Sequence, residues 1–133
     1  MYGQSIGVES DSLTGLINQI KQGLPVSTLT RLSKQLGVSE KRLLVAANIP
    51  QRTLTRRKKE GRFKPGESER VLRLARLYEQ AMKVFKKEGS VQRWFQSPVK
   101  GLGGKTPLDF ADTEPGAQEV EDMLGRIADG VFY

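Results

Sequence analysis

An all-α fold is predicted by three observations. Apolar residues recur at three- and four-residue steps along most of the chain, the period of a helix with one buried face. Most of these runs begin beside Ser or Thr and end at Gly or Pro, the residue types that start and stop helices. Strand-like alternation of apolar and polar residues is missing from the 133-residue sequence.

Residues 1–11 carry little apolar content and are expected to be a frayed lead-in. From Ser12, the side chains of Leu13, Leu16, Ile17 and Ile20 fall on one face of a short helix that Gly23 and Pro25 end. Ser27 is expected to cap a second helix, with Leu29, Leu32 and Leu36 on one side and Gly37 as its stop. Ser39 caps a third, in which Leu43, Leu44, Ala46 and Ala47 are apolar. Asn48-Ile49-Pro50 leaves room only for a tight turn before the fourth, QRTLTRRKKEG.

After breaks at Gly61 and at Lys64-Pro65-Gly66 comes the longest periodic segment. Val71, Leu74, Ala75, Tyr78, Ala81, Met82 and Phe85 make a continuous stripe along it, so it is the expected spine of the fold and offers a dimer surface. Arg70, Arg73 and Arg76 lie off the stripe, and Glu69 is spaced to pair with Arg73. Gly89 is expected to end this helix and Ser90 to cap a short one carrying Val91, Trp94 and Phe95. A Gly-rich turn follows, then Thr106-Pro107 as the N-cap and first residue of another helix. Thr113 caps the last helix, with Pro115 in its first turn, a stripe of Val120, Met123, Leu124, Ile127 and Ala128, and Gly130 as its stop.

The third and fourth helices, joined by so short a turn, form a helix-turn-helix in which the second helix stands out from the body. Ile49 and Leu54 would anchor that helix and leave Gln51, Arg52, Thr55 and Arg56 outside. Arg and Gln make bidentate bonds to guanine and adenine in the major groove, so these residues, with Thr53, are the candidate base and backbone readers. Arg57, Lys58, Lys59 and Arg62 would meet flanking phosphates. The competing reading makes this run a solvated helix end, where cations also suit the macrodipole. The local charge favours DNA: residues 26–64 hold eleven Lys and Arg against Glu40 and Glu60.

From residue 106 onward the balance reverses, with Arg126 alone against seven acidic residues. The chain is electrically split, so the basic part suits phosphate and the acidic part a protein partner. Two regions follow from this: a helix-turn-helix region over 1–64 and a long helix with a C-terminal all-helical domain over 65–133. The formal net charge of +7 favours an acidic partner overall.

Cysteine and histidine are both absent. Disulfides, thiolate nucleophiles and every Ser-His or Cys-His arrangement vanish together, and no metal-ligand cluster can be named, so neither catalysis nor a cofactor is expected. No apolar run nears the roughly 20 residues of a membrane span, and no signal peptide opens the sequence, so a cytoplasmic protein with no membrane association is expected. Gly104-Lys105-Thr106 imitates the end of a phosphate-binding loop, but position 99 is Val where that loop needs Gly, and Pro107 follows at once. The glycines are better read as permitting a sharp turn.

The segment IPQRTLTRRKKEGRFKPGESERVLRLARLYEQAMKVF, the Trp94 helix, SPVKGLGGKTPLDF, the step from Thr113 to Gly116 and the pattern Val120, Leu124, Ile127, Gly130 resemble the MbcA/ParS/Xre antitoxins. The likeness covers about residues 36–133 and departs from the family's usual Leu and Asn near Phe95 and Val99. It implies a type II toxin–antitoxin role: neutralising a RES-domain toxin that degrades NAD⁺ and, with it, repressing the antitoxin's own operon. It also implies operator DNA as a ligand and a homodimer within a larger hetero-oligomer. Residues expected to face the toxin are Trp94, Lys100, Leu102, Lys105 and Asp129, with Val131, Phe132 and Tyr133 as an aromatic plug. Left open beside it are a stand-alone helix-turn-helix repressor without a toxin partner and an RNA-binding factor.

Overall fold

The computed structural model describes residues 3–8 and 12–130. Among these residues are eight α-helices and no strand: α1 (Leu13–Gln22), α2 (Ser27–Leu36), α3 (Glu40–Ala46), α4 (Gln51–Glu60), α5 (Pro65–Phe85), α6 (Glu88–Gln96), α7 (Pro107–Phe110) and α8 (Glu114–Ala128). The predicted class and the tight turn between the third and fourth helices are both present.

Capping explains most boundaries. Ser12, Ser39, Thr106 and Thr113 each accept a backbone N–H three residues on, at the starts of α1, α3, α7 and α8. Ser27 is not a cap, since α2 already includes it and Val26 holds the capping position. The long helix ends earlier than the glycine predicts: Phe85 is its last residue, and Lys86 takes the left-handed conformation at φ 66°. Gly89 therefore sits inside α6, and Ser90 is one of its helical residues rather than its cap.

One hydrophobic core runs through the described residues, from Leu29, Leu32, Leu43 and Leu54 to Phe95, Leu108, Val120 and Leu124. Helix α5 is its spine, packing on α1 and α2 along one part and on α6 and α8 along another. Its Arg73 and Arg76 reach across to Glu114 of α8 at 3.5 and 3.6 Å, and Arg76 also to Glu121 at 3.6 Å. Arg73 thus pairs between helices, not with Glu69 as the spacing predicts. Part of the C-terminal acidity is neutralised inside the fold.

Two further expectations are corrected. The lead-in is docked over residues 3–8, where Ile6 and Val8 are buried and Glu79 of α5 accepts the N–H groups of Gly3 and Ser5 and the Ser5 hydroxyl. In α1 the apolar face is only partly covered, because Leu16 is buried while Leu13 and Ile17 stand 64% and 41% exposed.

The loop after α1 pairs antiparallel with the loop after α4, through Val26 N–H to Gly61 O and Phe63 N–H to Leu24 O. Gly23 makes that approach possible: it sits at φ 90°, and a Cβ there would lie 2.0 Å from the carbonyl oxygen of Phe63. This pairing fixes α4 against the body at its far end.

Candidate nucleic-acid interface and partner surface

Helix α4 has a single aliphatic residue, Leu54, which is buried together with Ile49 of the preceding turn. So narrow an apolar contact needs help, and Arg57 supplies it. Its Nε and Nη2 donate to the two carboxylate oxygens of Glu67 on α5 at 2.7 and 3.0 Å, and Nη1 donates to Glu60 at 3.3 Å. Glu67 also accepts the backbone N–H of Lys64 at 2.9 Å, closing the first turn of α5. The Glu67 hydrogen bonds raise the Arg57 pKa further above its ordinary range. Burial works against ionising Glu67, but the bonds from Arg57 and the Lys64 N–H outweigh it and hold the carboxyl below its ordinary value.

Arg57 is therefore corrected from a phosphate contact to an internal clamp. Thr53 is also turned into the protein. Arg62 is exposed, yet its guanidinium donates to the carbonyl of Gly23 at 2.7 Å and so helps hold the interloop pairing. What α4 presents outward is Gln51, Arg52, Thr55, Arg56, Lys58 and Lys59, with Glu60 exposed as its last residue. Among the described residues Arg52, Arg56 and Lys59 have no ion-pair partner, while Lys58 lies 3.8 Å from Glu40 in an exposed contact of small energetic weight. No acidic residue occupies the first turn, so the positive end of the helix faces outward beside Gln51 and Arg52.

The turn of this helix-turn-helix is tied to the C-terminal half, a feature that sequence reasoning missed. Asn48 occupies the left-handed region at φ 54° and its side-chain amide donates to the carbonyl of Asp112 at 2.5 Å. Arg42 of α3 lies 3.9 Å from Asp109 and within 3.5 Å of the Thr106 hydroxyl, and Arg70 of α5 donates to the carbonyl of Ala47 at 2.7 Å. The available signal was the residue type at 48, since Asn is among the few that tolerate left-handed backbone.

On the C-terminal half, the Gly-rich turn closes on itself. Val99 donates to Lys105 O at 3.0 Å and Gly104 donates to Val99 O at 3.1 Å, with Gly103 and Gly104 at φ 67° and 81°. Leu102 is buried at its centre, so it anchors the turn and is corrected from a partner contact. Lys100, Lys105 and Asp129 are exposed, and Trp94 is half-buried between Phe85 and Phe95, with ring centroids 5.7 and 5.1 Å away. Val131, Phe132 and Tyr133 lie outside the described residues. A groove of about 350 Å³ opens beside Trp94, lined also by Phe85, Pro98, Val99, Met123 and Ile127. No group of His, Cys, Asp or Glu among the described residues is arranged to hold a metal, and no helix is long and apolar enough to cross a membrane.

This arrangement matches two family models. Residues 15–76 match the antitoxin Xre-like helix-turn-helix domain, and residues 80–130 match the antitoxin Xre/MbcA/ParS C-terminal toxin-binding domain. The chain belongs to the Xre/MbcA/ParS antitoxin family. It is 37% identical to Antitoxin Xre of Yersinia enterocolitica, over 97% of this chain and 88% of that one. Against Antitoxin Xre of Photorhabdus laumondii the identity is 31%, over 96% and 88%. A protein of Sphingobium named Prs ADP-ribosylating antitoxin is 33% identical over 87% of this chain and 79% of that one. The antitoxin is thus a helical protein with a DNA-binding helix-turn-helix domain and a toxin-binding domain, and the two matched regions meet within α5.

Proposed function

We propose that this antitoxin neutralises a RES-domain toxin that degrades NAD⁺ and, as a homodimer bound to that toxin, represses its own operon. The observation that carries the regulatory half is α4: it turns six polar or cationic side chains outward while Leu54 and the Arg57–Glu67 clamp hold it in place. Gln51, Arg52, Thr55 and Arg56 then read base edges, and Lys58 and Lys59 hold phosphates. A two-fold dimer of this kind engages half-sites about 34 Å apart.

Support for the neutralising half comes from the toxin-binding domain, from the exposed Lys100 that lines the groove beside the half-buried Trp94, and from the exposed Lys105 and Asp129 of the same domain. The Sphingobium relative's name points the same way, because ADP-ribosylation draws its transferred group from NAD⁺. A toxin that binds the diphosphate of NAD⁺ offers cations around an enclosed cleft. Asp129 and the aromatic pair Phe132-Tyr133 are suited to plug that entrance.

Co-expression with the product of the adjacent gene tests the reading, with cellular NAD⁺ as readout. The full chain is expected to preserve NAD⁺, and a chain lacking residues 129–133 is expected to lose protection while keeping its fold and operator binding. A neighbour that is harmless alone would instead favour a stand-alone repressor. Equal protection by the truncated chain would move inhibition to another surface.

A further inference from the structure

Given a toxin partner as proposed above, we infer that its footprint is not confined to the toxin-binding domain but crosses onto α3 of the helix-turn-helix, where Val45 is the contact. At 67%, Val45 is the most exposed large apolar side chain among the described residues. A single exposed valine is ordinary on a protein surface, so its position is what carries weight. Arg42, three residues before it, lies within 3.5 Å of the Thr106 hydroxyl and 3.9 Å of Asp109. Asn48, three residues after it, donates to the carbonyl of Asp112. Positions three apart on a helix are neighbours on one flank, so Val45 lies between two residues that both touch the segment 106–112. That segment belongs to the region matching the toxin-binding domain, residues 80–130. The two halves of the chain therefore meet on either side of Val45 and leave it standing at the rim of their seam.

Across the seam the surface is hollow. A groove of about 440 Å³ has Phe110, Asp112, Pro115, Gly116 and Glu119 among its walls. Asp112 is both a wall of this groove and the acceptor of the Asn48 bond, so the groove begins where the seam ends. Phe110 is only partly buried and Pro115 is exposed, which places apolar surface on both sides of the seam. Charged groups flank it: Lys41 is one helical turn before Val45, and Lys105 and Glu119 stand in the groove wall. Apolar contacts edged by polar groups are the anatomy of a protein interface. DNA is a poor occupant, because Asp109 and Asp112 lie along the seam and repel phosphate. A toxin seated on the toxin-binding domain reaches Val45 by extending past Asp112. It then rests directly on α3, the helix that leads into the turn aiming α4.

Toxin binding is to be compared in the parent antitoxin, Val45→Ser and Val45→Gln, with Leu13→Ser on α1 as the control for loss of an exposed apolar side chain. The toxin is the product of the adjacent gene, and titration calorimetry gives the affinities. Circular dichroism and sedimentation report folding and oligomeric state, and operator titration without toxin reports DNA binding. Both Val45 variants are expected to fold, to sediment and bind operator like the parent, and to bind toxin about tenfold more weakly, as loss of a packed apolar anchor costs. Leu13→Ser should bind toxin like the parent. Parent-like toxin affinity in both Val45 variants would overturn the inference and leave the toxin-binding reading intact. A parent chain that does not bind the toxin at all would remove both together. Equal weakening by Leu13→Ser would also overturn the inference. So would weaker operator binding without toxin or altered sedimentation in the Val45 variants, which would assign Val45 to DNA or to a second copy.

Discussion

Arg56 and Arg57 stand side by side in a basic run, and folding turns the first outward and the second inward. Periodicity alone assigns both to DNA, because nothing local distinguishes them; the partner that turns Arg57 inward is Glu67, ten residues away across a helix break. Buried charge of this kind is legible only once the crossing of α4 and α5 is known. Most of the outward residues were legible, since a helix with Leu54 as its one buried aliphatic side chain exposes most of its other positions, Thr53 and Arg57 being the exceptions. Arg52→Ala or Arg56→Ala is expected to cost about 1–3 kcal/mol on the operator and to relax base preference, whereas Lys58→Ala should weaken all DNA alike and reduce the salt slope by about one. Binding titrations on operator and random duplexes at several salt concentrations separate the two behaviours. The clamp makes a different prediction. With the Glu67 carboxyl held below its ordinary value, its contribution to stability is full above that value and is lost as pH falls below about 4.5. Glu67→Gln should therefore be less stable than the parent at neutral pH and should show a flatter decline between pH 5 and pH 3. Parallel acid limbs in denaturant titrations would assign the acid sensitivity to other carboxylates.

Among the elements, helix starts were the most legible and the end of the long helix the least. Ser12, Ser39, Thr106 and Thr113 cap as their types predict, because a side-chain oxygen bonding the third N–H is a local interaction. Lys86 ends α5 in a conformation costly for a side chain, and no nearby glycine marks it; the packing of α6 back onto α5 sets that boundary. Gly116 shows the opposite case, a glycine whose reason is invisible in sequence. It lies in the first turns of α8, and a Cβ there would sit 1.9 Å from the carbonyl oxygen of Phe110. Helix propensity alone would make Gly116→Ala stabilising by about 1 kcal/mol. The clash with backbone reverses the sign, and a net loss of about 1–3 kcal/mol is expected, as for other overpacked sites. Gly125→Ala is the control, because nothing lies within 4 Å of its Cβ position and there the propensity gain should appear. Urea denaturation of the two variants decides whether close approach or propensity governs each.

At the scale of the whole molecule, the charge split suggests two separable modules, and the core contradicts so clean a cut. Helix α5 serves both halves, and two polar links join the helix-turn-helix to the segment around α7, Asn48 to Asp112 and Arg42 to Asp109 and Thr106, while Arg70 to Ala47 braces the DNA-binding half itself. A partner seated on the C-terminal half thus sits on a surface continuous with the turn that aims α4. Energetic coupling between two such sites is typically about 1–3 kcal/mol and must act through elements that both ligands touch. The Asn48–Asp112 bond is the link closest to the turn, and glycine at 48 removes it while accepting the same left-handed backbone. Asn48→Gly is therefore expected to fold, at a cost of about 1 kcal/mol for the lost hydrogen bond, and to retain both operator and toxin binding. Its effect should lie in the difference between them: the change in operator affinity on adding toxin should shrink toward zero. Asn48→Ala, which loses the bond and also strains the turn by roughly 1–2 kcal/mol, should lower stability further without shrinking that difference more. Operator titrations of parent and variants, with and without saturating toxin, measure the coupling directly. An unchanged toxin effect in Asn48→Gly would mean that coupling travels through the shared spine of α5 and not through the turn.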